Sequence, residues 1–228
     1  LKLLNHHKKP CLIISSGKLG RQQVMSAMPY IKNYKSVPSV KILWEKSEQL
    51  FENKYIVYVD ESPAFAPDAA LLGGRMPIHN IEHFYKKMNI IFNKIENWSG
   101  VPIVIAASGK YDYKENPFKN RKIIYHKTPA LIQHAEIVIG HKSLALDQVI
   151  IERKPVILLT NDEFPRNKNQ QIMENAQFYH NKKSTNTENF KKEDYSNCYS
   201  IDHDYYAQIE LDYFRDTGVT GTFAENMI

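Results

Sequence analysis

Short β-rich runs that alternate with helix-forming stretches constrain this chain most. Ile103–Ala107, Lys122–Tyr125, Glu136–Ile139 and Val156–Leu159 are four or five residues each and rich in β-branched side chains. An earlier run, Tyr55–Asp60, has the same character. Between the later runs lie a short helical stretch near Thr128–His134 and a longer one near Lys142–Arg153. Strands alternating with helices build βαβ units, which predicts an α/β fold with a mostly parallel sheet. The right-handed crossover rule then places helices on both faces. The runs at 55–60, 103–107, 136–139 and 156–159 are expected as neighbours or near neighbours.

The flanking segments are less regular. Asn80–Trp98 is a strong amphipathic helix, with Ile81, Phe84, Tyr85, Met88, Ile91, Phe92 and Ile95 on one face. Asn80 is suited to cap it, and Gly100 with Pro102 ends it. Helices are also expected over Gly20–Asn33, which Pro29 interrupts, Lys41–Asn53, Asn167–His180 and Asp204–Asp216. The stretch between Asp60 and Asn80 contains three prolines and Gly73-Gly74, and reads as a long loop of the kind that often carries function. Lys182–Asp194 is charged and poor in apolar residues, and reads as a mobile loop.

A chain of 228 residues with 43% hydrophobic and 24% charged residues can bury a substantial core. Its formal charge of +5 is spread over separate lysine pairs, which read as solvated surface. That charge permits contact with anionic ligands or the anionic inner face of a membrane. It does not call for nucleic acid. Two cysteines, Cys11 and Cys198, support neither a disulfide framework nor a zinc site, and Cys11 reads as a core residue in a reduced, cytoplasmic setting. No apolar run reaches the roughly 18 residues of a membrane span, and no signal-peptide pattern is present. The chain opens on Leu1 rather than Met, so a preceding part is expected.

In an open parallel sheet, ligands bind beyond the carboxyl ends of the strands. That rule selects Asp60-Glu61, Ser108-Gly109-Lys110, His126-Lys127-Thr128, Gly140-His141-Lys142-Ser143 and Thr160-Asn161-Asp162. Gly140–Ser143 is the strongest anion site, since it follows a strand and opens a helix whose first N–H groups lack internal partners, the alternative being a plain N-cap at Ser143 with nothing bound. Gly140 is read as allowing close backbone approach, with His141 or Lys142 adding charge and Ser143 a hydroxyl. Asp147, four residues on, lies on the same helical face and is read either as reaching a sugar or ribose hydroxyl or as a solvated helix residue. Thr128 reads as the N-cap of a helix with Pro129 at its first position. The loop Ser108–Arg121, with Lys110, Tyr111, Tyr113 and Arg121, is placed to lie over a base or phosphate, or else to form polar surface.

Two motif matches fail. His79-Asn-Ile-Glu-His83 has the H-x-x-E-H spacing of one zinc-protease class, but the cap at Asn80 keeps His79 off the helix. Ser15-Ser-Gly-Lys18 lacks the spacing of a phosphate-binding P-loop.

Taken in order, Tyr55–Asp68, Val104–Phe118, Lys122–Thr128, Ile139–Ser143 and Lys154–Leu158 resemble a group of bacterial capsule and lipopolysaccharide biosynthesis proteins. That group is similar to the second, donor-binding half of GT-B glycosyltransferases, and the likeness covers about residues 41–162. The resemblance implies a Rossmann-like domain at 55–203 that binds a nucleotide-sugar donor. Residues 1–54 would be the end of a preceding half or a linker, and 204–228 a C-terminal helix and tail. It implies a glycan or lipid-linked glycan acceptor, with contact at the inner face of the membrane. No metal or cofactor is called for, because basic side chains and backbone N–H groups can stabilise the departing phosphate. Asp60, Glu61 and Asp68 are candidates for the base that takes the acceptor proton.

Related sequences carry His-Pro where this chain has Ser108-Gly109, which argues against a CMP-linked donor. They also carry a second hydroxyl residue at the position of Leu144. These departures motivate a second reading, a non-catalytic relative that binds a nucleotide or glycan. A sugar-nucleotide epimerase, built on the same architecture, is a third.

Overall fold

The computed structural model describes residues 12–30, 33–39, 47–63, 78–109, 111–179 and 184–215. The chain forms two compact units, Leu1–Glu45 with Ala207–Ile228, and Lys46–Tyr206. Cys11 and most of the long loop after Pro63 lie outside the described residues.

In the smaller unit, β1 (Ile13–Ser15) and β2 (Tyr34–Ser36) pair in parallel, joined through α1 (Gly17–Ala27). The helix expected over Gly20–Asn33 starts earlier and stops at Ala27. Pro29 explains the stop, because its ring disfavours helical backbone at Met28, which sits at φ −135°, ψ 61°.

The larger unit carries β3 (Ile56–Val59), α2 (Ile81–Ser99), β4 (Ile103–Ala107), β5 (Ile123–Tyr125), α3 (Thr128–His134), β6 (Ile137–Gly140), α4 (Asp147–Ile151), β7 (Val156–Thr160), α5 (Arg166–Ala176), β8 (Thr185–Asn186) and α6 (Lys192–Asn197). A last helix, α7 (His203–Ile209), spans the division at Tyr206/Ala207 and continues into a π-helical turn over Glu210–Phe214, which belongs to the smaller unit. The sheet order is β5-β4-β3-β6-β7-β8 and every described pairing is parallel. This is the Rossmann-like order, 3-2-1-4-5-6 when the six strands are counted from β3. The neighbours expected from the sequence are therefore neighbours.

Every residue of β3, β4, β6 and β7 is buried. A sheet can bury both faces of its central strands only when both are covered. On one of them α2 lays Phe84, Met88, Ile91, Phe92 and Ile95 into the core, each fully buried. Asn80 caps α2 by accepting from the His83 N–H at 2.9 Å, and Gly100 closes it in the left-handed conformation at φ 67°.

Three further expected elements differ. Residues 47–53, placed in a helix by their periodicity, are not helical. Ser47 instead accepts from His134 Nε2 and donates its N–H to Gln133 Oε1, both at 2.7 Å, so α3 claims its backbone. The helix expected over Lys142–Arg153 is a 3₁₀ turn at Leu144–Leu146 followed by the five residues of α4. The segment read as a mobile loop, Lys182–Asp194, contains β8 and the start of α6. Phe190 anchors it, 2% exposed and stacked on Trp98 with ring centroids 6.0 Å apart, and Lys87 pairs with Glu188.

Candidate functional site

The connections leaving β3 and β6 run to opposite sides although the two strands are neighbours. Such a switch point leaves a crevice beyond the carboxyl ends of the strands. A cleft of about 440 Å³ opens there. It is lined by Asp60, Glu61, Ser108, Thr128, Lys142 and Ser143 from the sequence-selected set, together with Pro63, Leu144, Ala145 and Lys168. Six residues from four separate strand ends thus meet in one place. A second cavity, about 580 Å³, lies at the opposite edge, where Tyr55, Pro102, Ile103 and Lys122 begin or precede strands.

Asp60 is 3% exposed. Its Oδ1 accepts from the Ser62 N–H at 3.0 Å, and its Oδ2 from Ser62 Oγ at 3.3 Å and from the Tyr113 hydroxyl at 2.6 Å. Since Tyr113 gives its proton to Asp60, Tyr85 donates to the Tyr113 oxygen at 3.1 Å. Burial pushes the Asp60 carboxyl up to about 6, against the pull of these donors. Burial and the neighbouring Asp60 raise the Tyr113 hydroxyl far above its ordinary value.

Glu61 faces the other way. Its Oε1 accepts from the Lys142 N–H at 2.5 Å and its Oε2 from Lys168 Nζ at 3.2 Å. The Lys142 side chain donates to Gln171 Oε1 at 2.9 Å. Ser143 Oγ accepts from the Ala145 N–H at 3.3 Å and so starts the 3₁₀ turn.

The structure corrects several site assignments. His141, read as a charged donor-binding residue, is fully buried. Its Nδ1 lies 2.6 Å from the Leu159 carbonyl, which can only accept, so Nδ1 carries the proton and Nε2 accepts from Tyr58 at 3.0 Å. Burial lowers its pKa to about 4, so it stays neutral and adds no charge to the cleft. Gly140 is buried too. A Cβ there would come within 2.9 Å of the Leu146 side chain, so the space serves core packing rather than ligand approach. Asp147 does not line the cleft but lies near buried Tyr179, whose hydroxyl its charge helps to raise. Arg121, placed over a base or phosphate by its loop, is 9% exposed and bound to Glu96, Asn89 and Asn93 of α2.

Gly109, His126 and Lys127 sit outside the cleft lining. Gly109 and His126 pack so closely that a Cβ on Gly109 would lie 2.4 Å from the His126 ring, and His126 itself has φ 57°. Lys127 is exposed and takes the N-cap position of α3 expected of Thr128, which is instead the first helical residue, and no side chain caps the helix. Asp68 and Lys110 lie outside the described residues.

Lys168 escaped the sequence reading. Its signal is weak, a lysine in a polar helix eight residues beyond Thr160, and only the packing of α5 beside β7 brings it to the cleft. Its ammonium also lies 4.6 Å from the Phe164 ring centroid. Among the described residues, no group of three or more His, Cys, Asp or Glu is arranged to hold a metal ion, and no helix is long and apolar enough to cross a membrane.

No protein-family model and no curated protein sequence matches the chain. Among solved structures, it is similar to the spinosyn forosaminyltransferase SpnP at 12% identity and a TM-score of 0.38, over 79% of this chain and 42% of that one. It is also similar to the glycosyltransferase SnogD from Streptomyces nogalater at 8% identity and a TM-score of 0.42, over 83% of this chain and 56% of that one. The chain spans about half the length of these structures.

Proposed function

We propose that the larger unit holds the nucleotide-sugar donor of a glycosyltransferase that extends a bacterial surface polysaccharide of the capsule or lipopolysaccharide type. The observation that carries this reading is the cleft at the β3/β6 switch point, where three hydroxyls, two lysines and two carboxylates converge. Ser108, Thr128 and Ser143 supply hydroxyls for phosphate or sugar oxygens, and Lys142 and Lys168 supply positive charge. Of the candidate bases, Asp60 has the raised pKa that suits proton transfer near neutrality. To act, it must exchange its bond to Tyr113 for one to an acceptor hydroxyl. On this reading the chain before Lys46 belongs to the preceding half rather than the whole of residues 1–54, since the larger unit begins at Lys46, and the acceptor is a glycan or lipid-linked glycan met at the cytoplasmic face of the inner membrane. The polysaccharide class rests on the sequence resemblance.

Calorimetry with CMP, UDP, GDP and dTDP tests the reading. Replacing Ser143 by Ala removes one hydroxyl and is expected to weaken nucleotide binding roughly ten- to hundredfold, from the loss of about 1.5–3 kcal/mol for a hydrogen bond to a charged group. Ser143→Asp is expected to weaken it further by repelling phosphate. Unchanged affinity in both variants would place the phosphate site elsewhere.

One observation favours a non-catalytic binding module as the second reading. Both carboxylates of the cleft are already engaged by protein donors. Tight nucleotide binding without turnover of any nucleotide-sugar by the protein would select it.

A further inference from the structure

Resting on that reading of the cleft, we propose that Glu61 occupies the place of the donor's phosphate, and that Lys168 is the cation the phosphate takes over. The two carboxylates of the cleft are held in different ways. Asp60 is tied to Ser62 two residues on and to Tyr113, and is almost wholly buried. Glu61 bridges two donors from two distant parts of the chain, the Lys142 N–H after β6 and Lys168 Nζ on α5. The Glu61 and Lys168 side chains are 17% and 20% exposed, so both sit at the cleft surface where a ligand can reach them. Backbone N–H and ammonium are the groups that phosphate oxygens seek, and a carboxylate presents two oxygens in much the same way as a phosphate face.

The internal anion sets the ligand class. A monoanion already neutralises Lys168, so an incoming group must bring more charge than it displaces. A pyrophosphate meets that condition through several strong acceptors, whereas a nucleoside monophosphate ester gains less from the exchange. The geometry therefore selects nucleoside diphosphates over monophosphates. Glu61 is a specificity-determining residue in this arrangement and Lys168 a binding residue.

The test uses the whole chain and three probes, inorganic pyrophosphate, UDP and UMP. Glu61→Gln keeps an acceptor for the Lys142 N–H and removes the charge. It is expected to bind pyrophosphate about tenfold more tightly than the unaltered protein, and to narrow the preference for UDP over UMP. Lys168→Met is expected to bind pyrophosphate about tenfold more weakly. The amide resonance of Lys142 reports the exchange directly. It should move on saturation with pyrophosphate, and should reach the same position in the unaltered protein and in Glu61→Ala, because the same ligand oxygen then holds it. Pyrophosphate affinity that is unchanged or lower in Glu61→Gln, no measurable binding in either protein, or a Lys142 amide that stays still on saturation would each overturn the inference. UDP binding no better than pyrophosphate would instead count against the nucleotide reading, while Glu61 is judged on pyrophosphate alone.

Discussion

Asp60 and His141 stand at the carboxyl ends of neighbouring strands, and burial moves their proton affinities in opposite directions. Asp60 rises from 3.8 to about 6. Its contribution to stability is full below about 4 and is lost as pH climbs through 6, because the folded protein must then bury a charge. His141 falls from 6.5 to about 4. Its contribution is full above 6.5 and is lost as pH drops towards 4, because the unfolded chain takes up the proton first. Each shift is worth about 3 kcal/mol at roughly 1.4 kcal/mol per unit. Between pH 7 and 4 the two effects therefore nearly cancel. Asp60→Asn removes one of them, so urea unfolding should show the variant losing about 3 kcal/mol relative to the unaltered protein as pH is lowered from 7 to 4. A difference that does not vary with pH would refute this account. His141 also shows why a residue's role is hard to read from its place in a motif. Its position after a strand is the same as that of Lys142, but its side chain turns into the core beneath Tyr58, Phe84 and Phe164.

The elements that the sequence marked well are those with strong periodicity and unambiguous ends. Asn80 and Gly100 bound α2, and the β-branched runs bound β4 and β7. The role of a side chain was missed where its long-range contacts outweigh local composition. Arg121 is such a case. From the loop before β5 it reaches three residues of α2, its Nε and Nη2 binding Glu96 and its Nη1 binding Asn89 at 2.9 Å, while its guanidinium lies 5.1 Å from the Phe92 ring. Removing it leaves buried acceptors and a carboxylate without their partner, which costs several kcal/mol. Arg121→Met is expected to lower stability by about 3 kcal/mol in urea unfolding, with Glu96 exposed enough to relieve part of the penalty. A loss below about 1 kcal/mol would mean that the cluster is solvated and contributes little.

For the larger unit as a whole, the strand order matters more than any one strand. With β3 and β6 side by side and their connections diverging, the crevice forms at one edge of the sheet and brings together residues as far apart as Asp60 and Lys168. A ligand held there binds only the folded chain. At a hundredfold excess over Kd it should add about 2.7 kcal/mol. For a chain of this size that raises Tm by about 5–10 °C. A thermal-shift series with CMP, UDP, GDP and dTDP compounds should show this for at least one base, and no shift with any of them would count against a nucleotide site.

The sequence by itself determined the class of fold, because burying both faces of a parallel sheet demands short apolar strands, and helices between them, that no other architecture uses in that order. It also determined which strand ends bear polar side chains. Tertiary structure alone decided what those side chains do. Asp60 and Glu61 are adjacent in the chain, and one is locked inward by Tyr113 while the other reaches across to Lys142 and Lys168. Both lie just beyond β3, where the chain sends these neighbouring side chains to different partners. What waits for each is set by residues 50 to 110 positions away, which no local pattern records.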